Sequence, residues 1–293
     1  MKIIPSDLPV PKLHAYLLSS VGPRPIALAS TVDAEGRRNL SPFSFFNVFS
    51  ANPPVLIFSP ARRGRDNTTK HTYENVKTIS EVCINVVNYD MVQQVSLAST
   101  EYPEGMDEFV KSGLTPLPSE LIRPARVKES PVQFECMVKD VVELGDKGGA
   151  GNLVISEVVM MHIDEAVLDA DGSIDQEKID LVARMGKNWY SRSRNGLFEV
   201  EKPIRNMGIG VDKIPENIRL SDILTGNDLG MLGNVEALPE MKDVEIYRKE
   251  ELRNLTEGAH GEDLHRILHE SAHNKLIEGK VDEAWKILLA DNS

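Results

Sequence analysis

The sequence predicts a mainly β domain, a small antiparallel barrel of about six strands, followed by a helical appendage. Three observations carry this expectation. Short β-prone runs are joined by connections too brief for crossover helices, so neighbouring strands should pair antiparallel. Helix-forming sequence is confined to insertions at 69–78 and 90–98 within the β-rich part. Past Gly210 the texture changes to long helix-forming stretches, which places domains at 1–210 and 211–293.

Taken in order, 26–32 reads IALASTV and runs into the turn Asp33-Ala34-Glu35-Gly36, with 38–49 as the returning strand. Asn52-Pro53-Pro54 interrupts the chain before a short strand at 55–58, and 82–87 (VCINVV) supplies a fourth. Residues 132–144 and 152–163 are longer and flank a glycine-rich segment, 145–151, so they form a second hairpin. The run Gly148-Gly149-Ala150-Gly151 has the wrong spacing for a dinucleotide fingerprint and opens a strand instead of a helix, which argues against a Rossmann fold. In the tail, helices are expected at 241–257, 262–278 and 281–290, punctuated by Gly258, Gly261 and Gly279. Leu264, Ile267, Leu268, Leu276 and Ile277 face Ala284, Ile287 and Leu288 across Gly279, as in an αα-hairpin.

Of 293 residues, 41% are hydrophobic and 27% charged, an ordinary globular composition. The net charge is −12, of which about −8 falls in 211–293 and about −4 in the rest, so nonspecific nucleic-acid binding is not expected. Cys83 and Cys136 each sit in an apolar run with no CxxC pair, which suggests small core residues in a reducing compartment. No run of 18 apolar residues appears, so the expected location is the cytoplasm, away from membranes.

One island departs from the acidic background. Arg62, Arg63, Arg65 and Lys70 against Asp66 leave +3 within 61–70. They stand between a strand ending at Ser59 and a helix whose expected N-cap is Thr68 or Thr69. Cations and free N–H groups there suit a phosphate; the alternative is a solvated loop. Beside it, Ser30, Thr31, Asn39, Ser41, Ser44 and Asn47 offer hydroxyls and amides among Phe43, Phe45, Phe46 and Phe49, half of the eight phenylalanines. That mix suits a planar heteroaromatic cofactor as well as it suits a Phe-rich core.

Gly22-Pro23-Arg24-Pro25-Ile26-Ala27-Leu28-Ala29-Ser30-Thr31, then Asn39-Leu40-Ser41-Pro42-Phe43-Ser44-Phe45-Phe46-Asn47, Asn52-Pro53-Pro54 and Lys70-His71-Thr72 resemble the flavin reductase-like family, including flavoredoxin. The order continues through Asn85-Val86-Val87, Phe134-Glu135-Cys136, Gly151-Asn152-Leu153, Arg184-Met185-Gly186 and Trp189-Tyr190, and stops before the tail. The resemblance implies an FMN-binding split barrel, a six-stranded antiparallel Greek-key barrel that dimerises as a homodimer and binds FMN noncovalently, with NAD(P)H as co-substrate. It implies that Ser30, Thr31, Ser41, Pro42, Phe43 and Ser44 line the isoalloxazine and ribityl side. Ser59, Arg62, Lys70 and Thr72 would hold the phosphate. Asn39, Phe45, Asn47, Asn152, Arg184 and Tyr190 complete the cofactor-binding candidates. Two departures stand out: the familiar Lys-Asp-Thr reads Lys70-His71-Thr72, and the Gly-Asp-His often carried by reductases of the wider superfamily reads Gly151-Asn152-Leu153, so no histidine stands at the nicotinamide-facing place. Asn152 still offers an amide.

Hydride passes directly between nicotinamide and flavin, so no single catalytic residue is expected. The expected function is an FMN-binding oxidoreductase that moves hydride or electrons between NAD(P)H and FMN, or that uses bound FMN as a carrier. The alternative is a flavin-binding interaction protein whose acidic tail recruits a protein partner. Trp189 and Tyr190 either cap the flavin or close the barrel. His269-Glu270-Ser271-Ala272-His273 matches the zinc-protease pattern HExxH, but Asn274-Lys275 are polar and no strand-rich core surrounds it, so no metal site is expected. His265, His269 and His273 recur at i, i+4 and i+8 and are expected to form an exposed polar face, able at most to chelate an adventitious metal.

Overall fold

The computed structural model describes residues 1–200, 202–203 and 207–292. It divides into two compact units, Met1–Phe198 and Glu199–Ser293. The division falls earlier than the change of texture at Gly210. The reason is local: Ile209 N–H donates to Val235 O (2.8 Å) and Gly210 N–H to Gly233 O (3.0 Å), which ties the segment before Gly210 to the helical unit.

The first unit contains β1 (Ala27–Val32), β2 (Arg38–Phe43), β3 (Phe46–Ala51), β4 (Pro54–Phe58) and β5 (Glu81–Val86). A short pair, β6 (Pro116–Leu117) and β7 (Arg126–Val127), precedes the long β8 (Val132–Glu143) and β9 (Asn152–Ile163). Another short pair follows, β10 (Val182–Arg184) and β11 (Tyr190–Arg192). Seven strands form one antiparallel sheet in the order β2-β1-β5-β8-β9-β4-β3. Its two edge strands, β2 and β3, are joined only by Ser44-Phe45. The sheet must therefore curl until its edges approach at that bend, giving a barrel with one unpaired seam instead of a ring of hydrogen bonds. The strand count is seven instead of about six because 38–49 bends there, β2 pairing with β1 and β3 with β4.

The β1–β2 turn forms because Asp33 Oδ1 accepts from the N–H of Glu35 (3.0 Å) and of Arg37 (2.8 Å), while Gly36 takes a positive φ of 78°. Side chains alternate across β1. Ala27 and Ala29 join Phe43, Leu56, Phe58, Val82, Ile84, Cys136 and Val154 in the barrel interior. Ile26 and Leu28 face outward onto Leu40, Met91, Val95 and Phe109. Both faces of β1 are thus covered, and all six of its residues are buried. Cys83 and Cys136 are free and buried, and burial pushes both thiols up, so they act as core residues.

Helices α1 (Val10–Ser20), α2 (His71–Thr78), α3 (Val92–Ala98), α4 (Glu108–Ser112) and α5 (Gln176–Ile179) accompany this sheet. Val76 of α2 reaches the interior cluster, while Val95 of α3 and Phe109 of α4 cover its outer face. The N-cap of α2 is Lys70, not Thr68 or Thr69. The Thr68 hydroxyl donates to Asp66 Oδ1 (2.7 Å) and that of Thr69 to Glu74, and neither oxygen accepts from the first N–H groups of α2.

The second unit comprises α6 (Glu216–Arg219), α7 (Gly226–Gly233), α8 (Met241–Tyr247) with a π-helical continuation over Arg248–Leu252, α9 (Gly261–Ile277) and α10 (Val281–Leu289). Its core gathers Ile218, Leu232, Val244, Leu268, Ala272, Leu276, Trp285 and Leu288, and the Trp285 indole N–H donates to Leu232 O (3.1 Å). The inward face of α9 differs from the expected stripe. Ile277 is exposed, whereas Ala272 and His269 turn inward. The histidine face is therefore not exposed: His269 is fully buried, and His265 and His273 are half-buried. Polar partners from other parts of the unit, Ser221, Asp228 and Asp291, make that burial tolerable. No helix among the described residues is long and apolar enough to cross a membrane.

Candidate functional site

Between β4 and α2 the chain makes the basic loop, and the glycine-rich turn before β9 forms its floor. Arg62 N–H donates to Ala150 O (2.8 Å) and Gly149 N–H to Arg62 O (3.0 Å). A Cβ on Gly148 would stand 3.0 Å from Arg63 O, so the two backbones approach as closely as glycine permits. Ser59 Oγ accepts from Asn152 N–H (3.0 Å), and the Asn152 amide donates to Pro60 O (2.8 Å). Ser59, Arg62 and Asn152 are thus brought together, with the Asn152 amide spent on fixing the turn. The Arg62 guanidinium is held by Asn67 Oδ1 and O, both at 2.8 Å.

Glu101, in the segment after α3, completes the electrostatics and was not evident in the sequence. Lys70 Nζ (2.7 Å), Arg63 Nε (3.1 Å) and Arg65 (2.7 Å) converge on its carboxylate. The Lys70 hydrogen bond, outweighing desolvation, holds the Glu101 carboxyl below the usual range, so it stays ionised near neutrality. Four cations against Asp66 and Glu101 leave the loop at +2. No side chain caps the N-terminus of α2 beside it.

Directly behind Lys70 lies a buried polar network. Asn39 Nδ2 donates to Thr31 Oγ1 (3.2 Å) and Thr72 Oγ1 (3.0 Å), and Asn75 Nδ2 donates to Thr31 Oγ1 (3.0 Å). All four residues are buried. Thr31 and Asn39 meet because they are register partners of β1 and β2, and the first turn of α2 packs over them. Asn75 is a missed member whose only sequence signal is its place one turn after Thr72. Ser30 points to the opposite face of β1 from Thr31, and its hydroxyl has no partner among the described residues. The Asn152 Oδ1 is likewise buried without one.

The remaining candidates form separate groups. At the seam, Ser41, Pro42 and Ser44 are half-buried, and Phe43 is buried against Phe58 (ring centroids 5.4 Å apart). Phe45 is exposed and meets His14 edge-on, and Asn47 is exposed, its Oδ1 accepting from Val48 N–H. Arg184 and Tyr190 are cross-strand partners on β10 and β11, with the guanidinium 4.6 Å from the ring centroid. Trp189 is largely exposed and does not close the barrel.

The first unit is thus a split antiparallel barrel that carries a cationic loop at a helix N-terminus. Residues 19–178 match the flavin reductase like domain family, and the chain belongs to it. An uncharacterized protein of Halalkalibacterium halodurans is 34% identical over 205 residues, covering 69% of this chain and 97% of that protein. Among solved structures, nitrilotriacetate monooxygenase component B from Bacillus cereus is similar with a TM-score of 0.63 and 27% identity, covering 69% of this chain and 98% of that one. A Shewanella frigidimarina protein with a split barrel domain gives a TM-score of 0.58 and 28% identity, covering 68% of this chain and 96% of its own.

Proposed function

We propose that the chain is an FMN-binding oxidoreductase that moves hydride or electrons between NAD(P)H and FMN. One observation carries the choice of FMN: a hydrogen-bonded loop of net charge +2, beside an uncapped helix N-terminus and flanked by a buried hydroxyl and amide network, in a chain of this family. The residues fit the group. A phosphate matches the excess charge and the free N–H groups of α2. The unpartnered Asn152 carbonyl in the floor of the loop is a buried polar atom for which a ligand is one source of a hydrogen bond.

Bound flavin supplies the redox chemistry. In this reading Lys70 and Arg62 bind the phosphate, with the α2 N–H groups as further donors. The Thr31–Asn39–Thr72 network fixes the position of α2, and Ser59 with Asn152 fixes the floor. The half-buried Ser41, Pro42 and Ser44 at the seam supply small polar and apolar groups at its edge, with Phe43 packed behind them in the barrel interior. No side chain is required to transfer a proton, so no catalytic residue is assigned. A homodimer belongs to the proposal, supported by the exposed apolar Val48 and Phe49 on edge strand β3.

A second reading, in which flavin is held while the tail recruits a partner, is favoured by the separate hydrophobic core of the helical unit. NAD(P)H oxidation followed at 340 nm separates the two. Turnover that depends on added FMN supports the reductase; bound flavin without nicotinamide oxidation rejects it in favour of the second reading.

A further inference from the structure

The helical unit carries a cluster that the flavin reading leaves unused. His265 and His269 lie one turn apart on α9, with ring centroids 3.8 Å apart and planes 38° from parallel. Asp291, just beyond α10, meets His265 Nδ1 at 2.7 Å. One ligand atom from each of the three residues lies within 4.8 Å of the other two. Tetrahedral ligands around zinc, with bonds of about 2.0 to 2.2 Å, stand roughly 3.3 Å apart, so small side-chain rotations would close the set, with His265 ligating through Nε2 or parting from its 2.7 Å contact with Asp291.

The independent sign of a ligand is His269 itself. The residue is fully buried, its Nδ1 sits 2.7 Å from Ser221 Oγ, and its Nε2 has no hydrogen-bond partner among the described residues. Whichever nitrogen carries the proton, Nε2 is unmatched, as a lone pair without a donor or as an N–H without an acceptor. A metal on Nε2 would remove that mismatch and leave Nδ1–H to donate to Ser221, the usual outer contact of a metal-bound imidazole. The acidic surroundings of the tail favour a cation further.

We infer that His265, His269 and Asp291 form a binding site for a divalent transition metal, with zinc the best match to two imidazoles and one carboxylate around an open fourth position. The site is not that of the HExxH pattern. His273 Nδ1 is committed to Asp228 Oδ2 (2.9 Å), and Glu270 is exposed. The helical spacing of the pattern is retained, but one turn earlier, with the carboxylate supplied from beyond α10.

The test uses the full chain, stripped with a chelator and dialysed, then titrated with Zn²⁺ by calorimetry and with Co²⁺ by visible absorption. The expected result is one Zn²⁺ per chain and cobalt bands characteristic of a low-coordinate nitrogen–oxygen site. His265→Gln and Asp291→Asn, both at half-buried positions, should abolish stoichiometric binding, and Ser221→Ala should weaken it by about 10- to 100-fold. His273→Gln and Glu270→Gln should bind zinc as the parent does, and circular dichroism should confirm that each variant is folded. Absence of stoichiometric zinc in the parent overturns the inference, as does zinc binding that survives His265→Gln and Asp291→Asn or is lost in His273→Gln. FMN titration of the same variants keeps this result separate from the flavin assignment.

Discussion

Replacing Lys70 by alanine tests the phosphate loop most sharply, because the ammonium is one of three cations sharing Glu101. Its side chain is 29% exposed and its Nζ stands 2.7 Å from the carboxylate, so the charge is well placed and only partly screened. A charge-assisted hydrogen bond to phosphate is worth about 1.5 to 3 kcal/mol. At about 1.4 kcal/mol per decade, Lys70→Ala should raise the FMN Kd by roughly 10- to 150-fold. Arg63 and Arg65 stay on Glu101 in the variant, so the carboxylate remains neutralised and the loss belongs to the phosphate contact. Glu101→Gln should act in the opposite direction, lowering the FMN Kd by a few fold, because it removes an anion that competes for Lys70. The assay is flavin fluorescence quenching with FMN and, in parallel, with riboflavin, which lacks the phosphate. An FMN Kd unchanged by Lys70→Ala, or an equal loss for riboflavin, would refute the placement of the phosphate.

Other consequences follow from the buried polar groups and from the division of the chain. Asn39→Ala leaves the buried Thr72 hydroxyl oxygen without its donor, while Thr31 keeps Asn75, and should cost about 1 to 3 kcal/mol in urea unfolding; no loss would mean that the Asn39 bonds contribute nothing to stability. Burial raises the Glu135 carboxyl, but the N–H groups of Glu120 (2.9 Å) and Leu121 (2.7 Å), together with His162, outweigh it and hold the group below its usual 4.5. A lowered acid contributes stability above the unfolded value and loses it as pH falls through the folded one. Glu135→Gln should therefore destabilise at pH 7 by about 1.5 to 3 kcal/mol and flatten the acid limb below about pH 4.5; an unchanged acid limb in urea midpoints would contradict this. A fragment ending at Phe198 contains every cofactor candidate and the first unit's hydrophobic clusters. It should fold and bind FMN as the full chain does, which circular dichroism and the same titration would check.

The barrel was legible where local signals suffice. IALASTV, VCINVV and the two long runs around the glycine-rich turn carry their own β pattern, and Asp33 with Gly36 specifies the first hairpin. The seam was not legible, because Asn39-Leu40-Ser41-Pro42-Phe43-Ser44-Phe45-Phe46 stays β-prone through the bend, and only the choice of pairing partners splits it. The opposite orientation of Ser30 and Thr31 follows from the two-residue period, yet burial of both faces of β1 hides which face is which.

In the site, the cationic loop stood out because its charges are adjacent in sequence. Glu101 did not, being 31 residues from Lys70 with no local pattern to mark it. His269 illustrates the same limit in the tail. A polar helix face reads as solvated until its partners are known, and Ser221 is 48 residues away. The Thr68 and Thr69 caps failed because the helix starts later, with Lys70 as its N-cap, and local polarity alone does not fix where the first turn begins.

The most direct test of the central claim is a visible absorbance spectrum of purified, desalted protein, followed by titration with FMN under fluorescence detection. The account predicts a flavin band that survives desalting, or saturable quenching at one FMN per chain. A protein with neither band nor quenching would contradict it.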